Sequence, residues 1–85
     1  MTFRFEVLVS LKPGLADPAG KAVMSALPTL GWTNVDAVHV GKHIEVSLDA
    51  PDEAAARSQV QEMAERLLSN PVIEDFRIID TAGEA

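Results

Sequence analysis

The chain contains no cysteine, which excludes a disulfide staple and any thiolate metal site. That lack also fits a reducing compartment. Aromatic residues number four, too few to build a stacking platform for bases. Basic residues are scarce as well: seven Lys and Arg stand against thirteen Asp and Glu, for a net charge of −6 and a pI near 4.6. A binder of phosphate backbones carries a clustered basic patch, so nucleic acid and anionic membrane surfaces are not expected partners. No apolar run approaches the ~20 residues that span a bilayer. The start, Met1-Thr2-Phe3-Arg4-Phe5-Glu6, alternates in polarity and so does not read as a signal peptide. A soluble, cytoplasmic protein is expected.

Catalytic constellations are missing too. The glycines at Gly14, Gly31 and Gly41 are dispersed and match neither a P-loop nor a dinucleotide fingerprint. Ser10, Ser25, Ser47, Ser58 and Ser69 lie in unrelated contexts, none within Gly-x-Ser-x-Gly. Glu74 and Asp75 are adjacent in a strand pattern and so point to opposite faces, the wrong geometry for an acid–base pair. His39 and His43 flank a predicted turn, but two histidines without a third ligand do not make a metal site. No catalytic, cofactor-binding or metal-ligating residue is therefore assigned.

What is present is a small, apolar-rich domain. Eighty-five residues, 47% of them hydrophobic, form one domain that buries roughly 60–65% of its unfolded surface. Such a domain is marginal alone and gains from association with a copy or a partner. We read residues 1–80 as a single domain and residues 81–85 as a frayed tail.

Phe3, Phe5, Val7, Val9 and Leu11 alternate with Arg4, Glu6, Leu8 and Ser10, which predicts a half-buried strand. Lys12 to Ala16 is a turn, and Asp17-Pro18 is a helix start with a capping carboxylate and proline at the first helical position. Val23, Ala26, Leu27 and Leu30 make that helix's apolar stripe. Pro28 should end it early, with Gly31 as terminator. Val38 and Val40, then Ile44, Val46 and Leu48, alternate on either side of Gly41-Lys42 and predict a tight hairpin. Pro51-Asp52-Glu53 opens a second helix, with Ala56, Val60, Met63, Ala64 and Leu67 as its buried stripe. Asn70, in a left-handed conformation, and Pro71 should close that helix. The last strand then buries Val72 and Phe76. The predicted order is β-α-β-β-α-β: an α+β, ferredoxin-like antiparallel sheet with two helices on one face. Its exposed edges suit a homodimer with a shared sheet.

Three stretches carry a family resemblance: Val9-Ser10-Leu11-Lys12 leading to Asp17-Pro18-x-Gly20, then Val38-His39-Val40-Gly41-Lys42-His43-Ile44-Glu45, and finally Leu67-Leu68-Ser69-Asn70-Pro71-Val72-Ile73-Glu74-Asp75-Phe76. In order and spacing the chain resembles the small PurS-type subunit of phosphoribosylformylglycinamidine synthase, a multi-subunit enzyme of purine biosynthesis. His39 stands where that family often has arginine, Met63 where cysteine is frequent and Phe76 where tyrosine is frequent.

The resemblance implies a non-catalytic component of an ATP-dependent glutamine amidotransferase (a C–N ligase). ATP and magnesium belong on the large subunit, and a glutaminase subunit supplies ammonia. The small subunit is implied to be a homodimer that joins the other two and helps the ammonia path. The interface is expected at Val38, Val40, Lys42, Ile44 and Val46, from the predicted hairpin, and at Asn70 and Glu74, from charge beside a turn. An alternative from another class is a ferredoxin-like, small-molecule-binding regulatory module, which predicts ligand-dependent stabilisation of the isolated chain.

Overall fold

A computed structural model of the chain describes residues 1–80; the tail expected at residues 81–85 lies outside them. The elements run β1 (Thr2–Leu11), α1 (Pro18–Ala26), a short 3₁₀ turn (Pro28–Leu30), β2 (Lys42–Asp49), α2 (Glu53–Met63), a π turn (Ala64–Leu68) and β3 (Glu74–Asp80). The three strands form an antiparallel sheet in the order β2-β1-β3. β1 is therefore central, and the outer edges of β2 and β3 have no strand neighbour among the described residues.

The core follows from the alternation of β1. Phe3, Phe5, Val7 and Val9 are all buried, facing Ala56, Val60 and Ala64 of α2 and the π turn. Ile44, Val46 and Leu48 from β2, and Phe76 and Ile78 from β3, flank them on the same side. The expected α+β fold with an antiparallel sheet is present.

At the level of whole elements, two features differ from the sequence reading. The hairpin does not form: residues 32–41 carry no strand, so the sheet has three strands and not four. The segment is tied elsewhere. One oxygen of Asp17 caps α1 by accepting from the Gly20 amide at 2.8 Å, and the other accepts from the Val40 amide at 2.9 Å. Gly20 is buried, and a methyl there would collide with the carbonyl oxygen of Val38. The 38–40 stretch thus lies along the start of α1 and does not fold back on β2.

The other difference is that only α2 contributes to the core. Val23 in α1 and Leu30 in the 3₁₀ turn are exposed and Leu27 between these elements is half-buried; beyond them Trp32 is exposed as well. The molecule is correspondingly drawn out, with extents of 51 × 31 × 14 Å and a radius of gyration of 16.4 Å. A compact domain of this length would have a radius of about 12 Å.

Local chemistry explains the helix ends. Pro28 stops α1 at Ala26, and Gly31 takes φ 104° to turn the chain out of the 3₁₀ segment. Asp52 caps α2 through the Ala55 amide at 2.7 Å. The apolar residues Ala56, Val60, Ala64 and Leu68 recur every four positions, a spacing longer than the 3.6 of an α-helix. The π turn absorbs the excess. It holds Leu68 half-buried and turns Leu67 out to 81% exposure, against the buried position expected for Leu67.

Candidate subunit interface

Lys42 opens β2 and Glu74 opens β3, on opposite sides of β1. Their alternation places both on the helix-covered face, and the side chains meet over the end of β1 at 3.6 Å. The same Glu74 carboxylate accepts the Asn70 amide at 2.7 Å and is only 12% exposed. Three of the residues expected at an interface therefore come together as one cluster. Beside it, the Lys12 amide donates to the Ile73 carbonyl at 2.8 Å and its ammonium lies 3.8 Å from Asp75. The cluster ties both outer strands and the loop after the π turn to one end of the sheet.

Asn70 does not take the left-handed conformation expected of it; no non-glycine residue among those described does. Ser69 ends the π turn instead, in an extended conformation, with its amide and hydroxyl both donating to the Ala64 carbonyl. Asn70 then builds the turn. Its side-chain oxygen accepts from the Val72 amide, and its carbonyl accepts from Ile73 and Glu74. That turn precedes β3, so Val72 is 80% exposed where burial was expected, while Phe76 is half-buried against the core.

The other four expected residues separate into two pairs. Val38 is half-buried beside Gly20 and Val40 is exposed, both in the irregular segment held by Asp17. Ile44 and Val46 are half-buried on the core face of β2. The two histidines are also parted: His39 lies 4.0 Å from Asp17, whereas His43 contacts Glu6 at 3.0 Å.

Two groups of residues went unassigned at the sequence level. Asp17 was read only as a cap, yet it also anchors Val40. The hydrogen bonds from Gly20 and then Val40, with the nearby His39, hold its carboxyl below the usual carboxylate value. Val23, Leu30 and Trp32, none of them expected at an interface, are exposed outside the core, as is Val40. For Val23 and Leu30 the visible signal was the apolar stripe read for the first helix, which sequence alone assigns to the chain's own sheet.

No helix among the described residues is long and apolar enough to cross a membrane. A small α+β chain with apolar side chains displayed on an arm outside its core has the build of an assembly component. The family comparison agrees. Residues 4–81 match the family model PurS: Phosphoribosylformylglycinamidine (FGAM) synthase. The phosphoribosylformylglycinamidine synthase subunit PurS of Synechocystis sp. is 45% identical over 83 residues, 98% of this chain and 83% of that protein. The crystal structure of PurS from Methanocaldococcus jannaschii superposes with a TM-score of 0.80 at 35% identity, covering 92% of this chain and 94% of that one. The structure of PurLQS from Thermotoga maritima gives 0.87 at 26% identity, covering 94% and 98%. The chain belongs to the PurS family, the small subunits of FGAM synthase in purine biosynthesis.

Proposed function

We propose that the chain works as a homodimeric bridge between an ATP-dependent large synthase subunit and a glutaminase subunit, carrying no catalytic group of its own. ATP and magnesium are then held by the large subunit, and the bridge helps to line the route ammonia takes between the two active sites. Its place of work is the cytoplasm. The observation that carries this reading is the uncovered arm. Val23, Leu30, Trp32 and Val40 are exposed on a chain far more drawn out than its length requires. Burying such side chains contributes about 25 cal/mol per Å² of apolar surface, which a marginal domain gains only through another chain.

The free edges of β2 and β3 supply the backbone groups for a shared sheet, and the arm supplies the apolar contact. The PurLQS structure from Thermotoga maritima supports a place for this chain among the other synthase subunits. Light scattering on the isolated chain tests the self-association. The expected mass is twice that of the 9.1 kDa chain, falling to a folded monomer when Leu30 and Trp32 are both replaced by Glu. A monomeric wild type, or a dimer indifferent to both substitutions, contradicts the reading.

A further inference from the structure

The face of the sheet turned away from α2 carries a second cluster that the bridging role does not use. The β1–β2 register sets Glu6 directly opposite Glu45 and Leu8 opposite His43. Two carboxylates facing each other across a strand pair repel. His43 lies on the same face as Glu45, two residues before it, and diagonal to Glu6. Its Nε2 reaches the Glu6 carboxylate at 3.0 Å. One donor atom from each of the three side chains falls within 4.8 Å of the others.

We propose that Glu6, His43 and Glu45 form a binding site for a divalent cation of the zinc type, joining β1 to β2 on the open face of the sheet.

Four observations carry this. The donor set is one imidazole and two carboxylates, and the imidazole selects zinc-type ions over magnesium and calcium, which take oxygen. Two carboxylates with a neutral imidazole carry two negative charges, matching a dication. Donors around tetrahedral zinc lie about 3.4 Å apart, given bonds of about 2.1 Å. Glu6 is half-buried and His43 and Glu45 are exposed, so rotation of the side chains closes the remaining gap. The backbone needs no movement, because strand pairing already fixes residues 37 positions apart. Of the nearby cations, Arg4 and Arg77 share this face, while Lys42 is turned to the opposite face to meet Glu74. Three protein ligands leave one coordination position open to solvent or to a side chain from another subunit. A cation here staples two strands of a domain that has no disulfide.

The test titrates the full chain, stripped with a chelator, with Zn²⁺ followed by calorimetry, with the melting midpoint recorded in parallel. Saturable binding of one Zn²⁺ per chain, with a raised midpoint, is expected. His43→Ala and Glu45→Gln should each weaken it at least about tenfold, with an unchanged far-ultraviolet spectrum showing that the fold is kept. Glu6→Gln serves as a third, independent ligand variant. His39→Ala, which alters the other histidine, should leave affinity unchanged. The absence of saturable binding overturns the site. So does binding that survives both His43→Ala and Glu45→Gln, or that follows His39.

Discussion

The carboxylate of Asp17 holds the amide of Val40, 23 positions along the chain, at 2.9 Å, while its other oxygen caps Gly20. One side chain thus starts a helix and fixes where the segment around Val40 lies. The two tasks are separable by substitution. Asn at this position keeps one acceptor for the Gly20 amide, but its NH₂ group cannot accept from Val40. Asp17→Asn should therefore leave α1 intact by circular dichroism and speed hydrogen exchange at the Val40 amide. Asp17→Ala should lose both contacts and lower the melting midpoint by about 5 °C.

The same contact sets a pH dependence. Hydrogen bonds hold the Asp17 carboxyl below its ordinary value of 3.8. A carboxylate with a depressed folded pKa adds stability that is fully present above the unfolded value and lost as pH falls through the folded one. The Val40 contact should thus persist at neutral pH and release only as pH falls below the ordinary value of 3.8. Val40 amide exchange followed against pH should show this acid step, and Asp17→Asn should abolish it.

Glu53 is the opposite case. The neighbouring Asp80 side chain, by hydrogen bond and by charge, raises the Glu53 pKa above 4.5. Its contribution is present at acid pH, where the pair shares a proton, and is lost as pH rises through the elevated folded value. Glu53→Gln keeps a donor facing Asp80 at every pH. Denaturant unfolding of this variant should show less loss of stability than the wild type as pH rises above the ordinary glutamate value of 4.5.

At Gly20 two effects compete. Alanine is ordinarily better than glycine inside a helix by about 1 kcal/mol. Here the added methyl would meet the Val38 carbonyl oxygen and the Asp17 carboxylate. The steric term wins, because a backbone carbonyl cannot rotate aside as a flexible side chain does. Gly20→Ala should lower the melting midpoint and expose the Val40 amide to exchange; a rise in midpoint without such exposure would show that residues 38–40 are not seated on α1.

The π turn makes Leu67 and Leu68 unequal. Leu68 is half-buried against the core and Leu67 is 81% exposed. Leu68→Ala should cost about 2 kcal/mol in denaturant unfolding, and Leu67→Ala less than about 0.5 kcal/mol. A regular helix through this stretch would bring the two costs together.

How much of this was legible in the sequence depended on range. The strand predicted over residues 3–11, the cap at Asp17, the second helix's opening at Pro51-Asp52-Glu53, and the stops at Pro28 and Gly31 all rest on neighbours within a turn or a strand. The structure has each of them. The predicted hairpin at residues 38–46 failed because alternation says that a segment suits a sheet, not which strand it pairs with. The competing Asp17 contact crosses 23 positions. Leu67 was misplaced because a stripe read at a period of 3.6 does not reveal a π turn. Of the residues expected at an interface, Asn70 and Glu74 do lie at a turn, whereas the hairpin turn expected at Lys42 is absent, and the meeting of Lys42 with Glu74 over β1 depends on the sheet order. The Glu6–His43–Glu45 cluster was invisible for the same reason: it exists only in one register of β1 against β2.

The bridging role is tested most directly by mixing the large synthase subunit and the glutaminase subunit with and without this chain, and measuring the mass of the products by analytical ultracentrifugation. The account predicts one species containing all three components only when the chain is present, weakened when Lys42 and Glu74 are reversed in charge. Association of the two larger subunits to the same extent without the chain would contradict it.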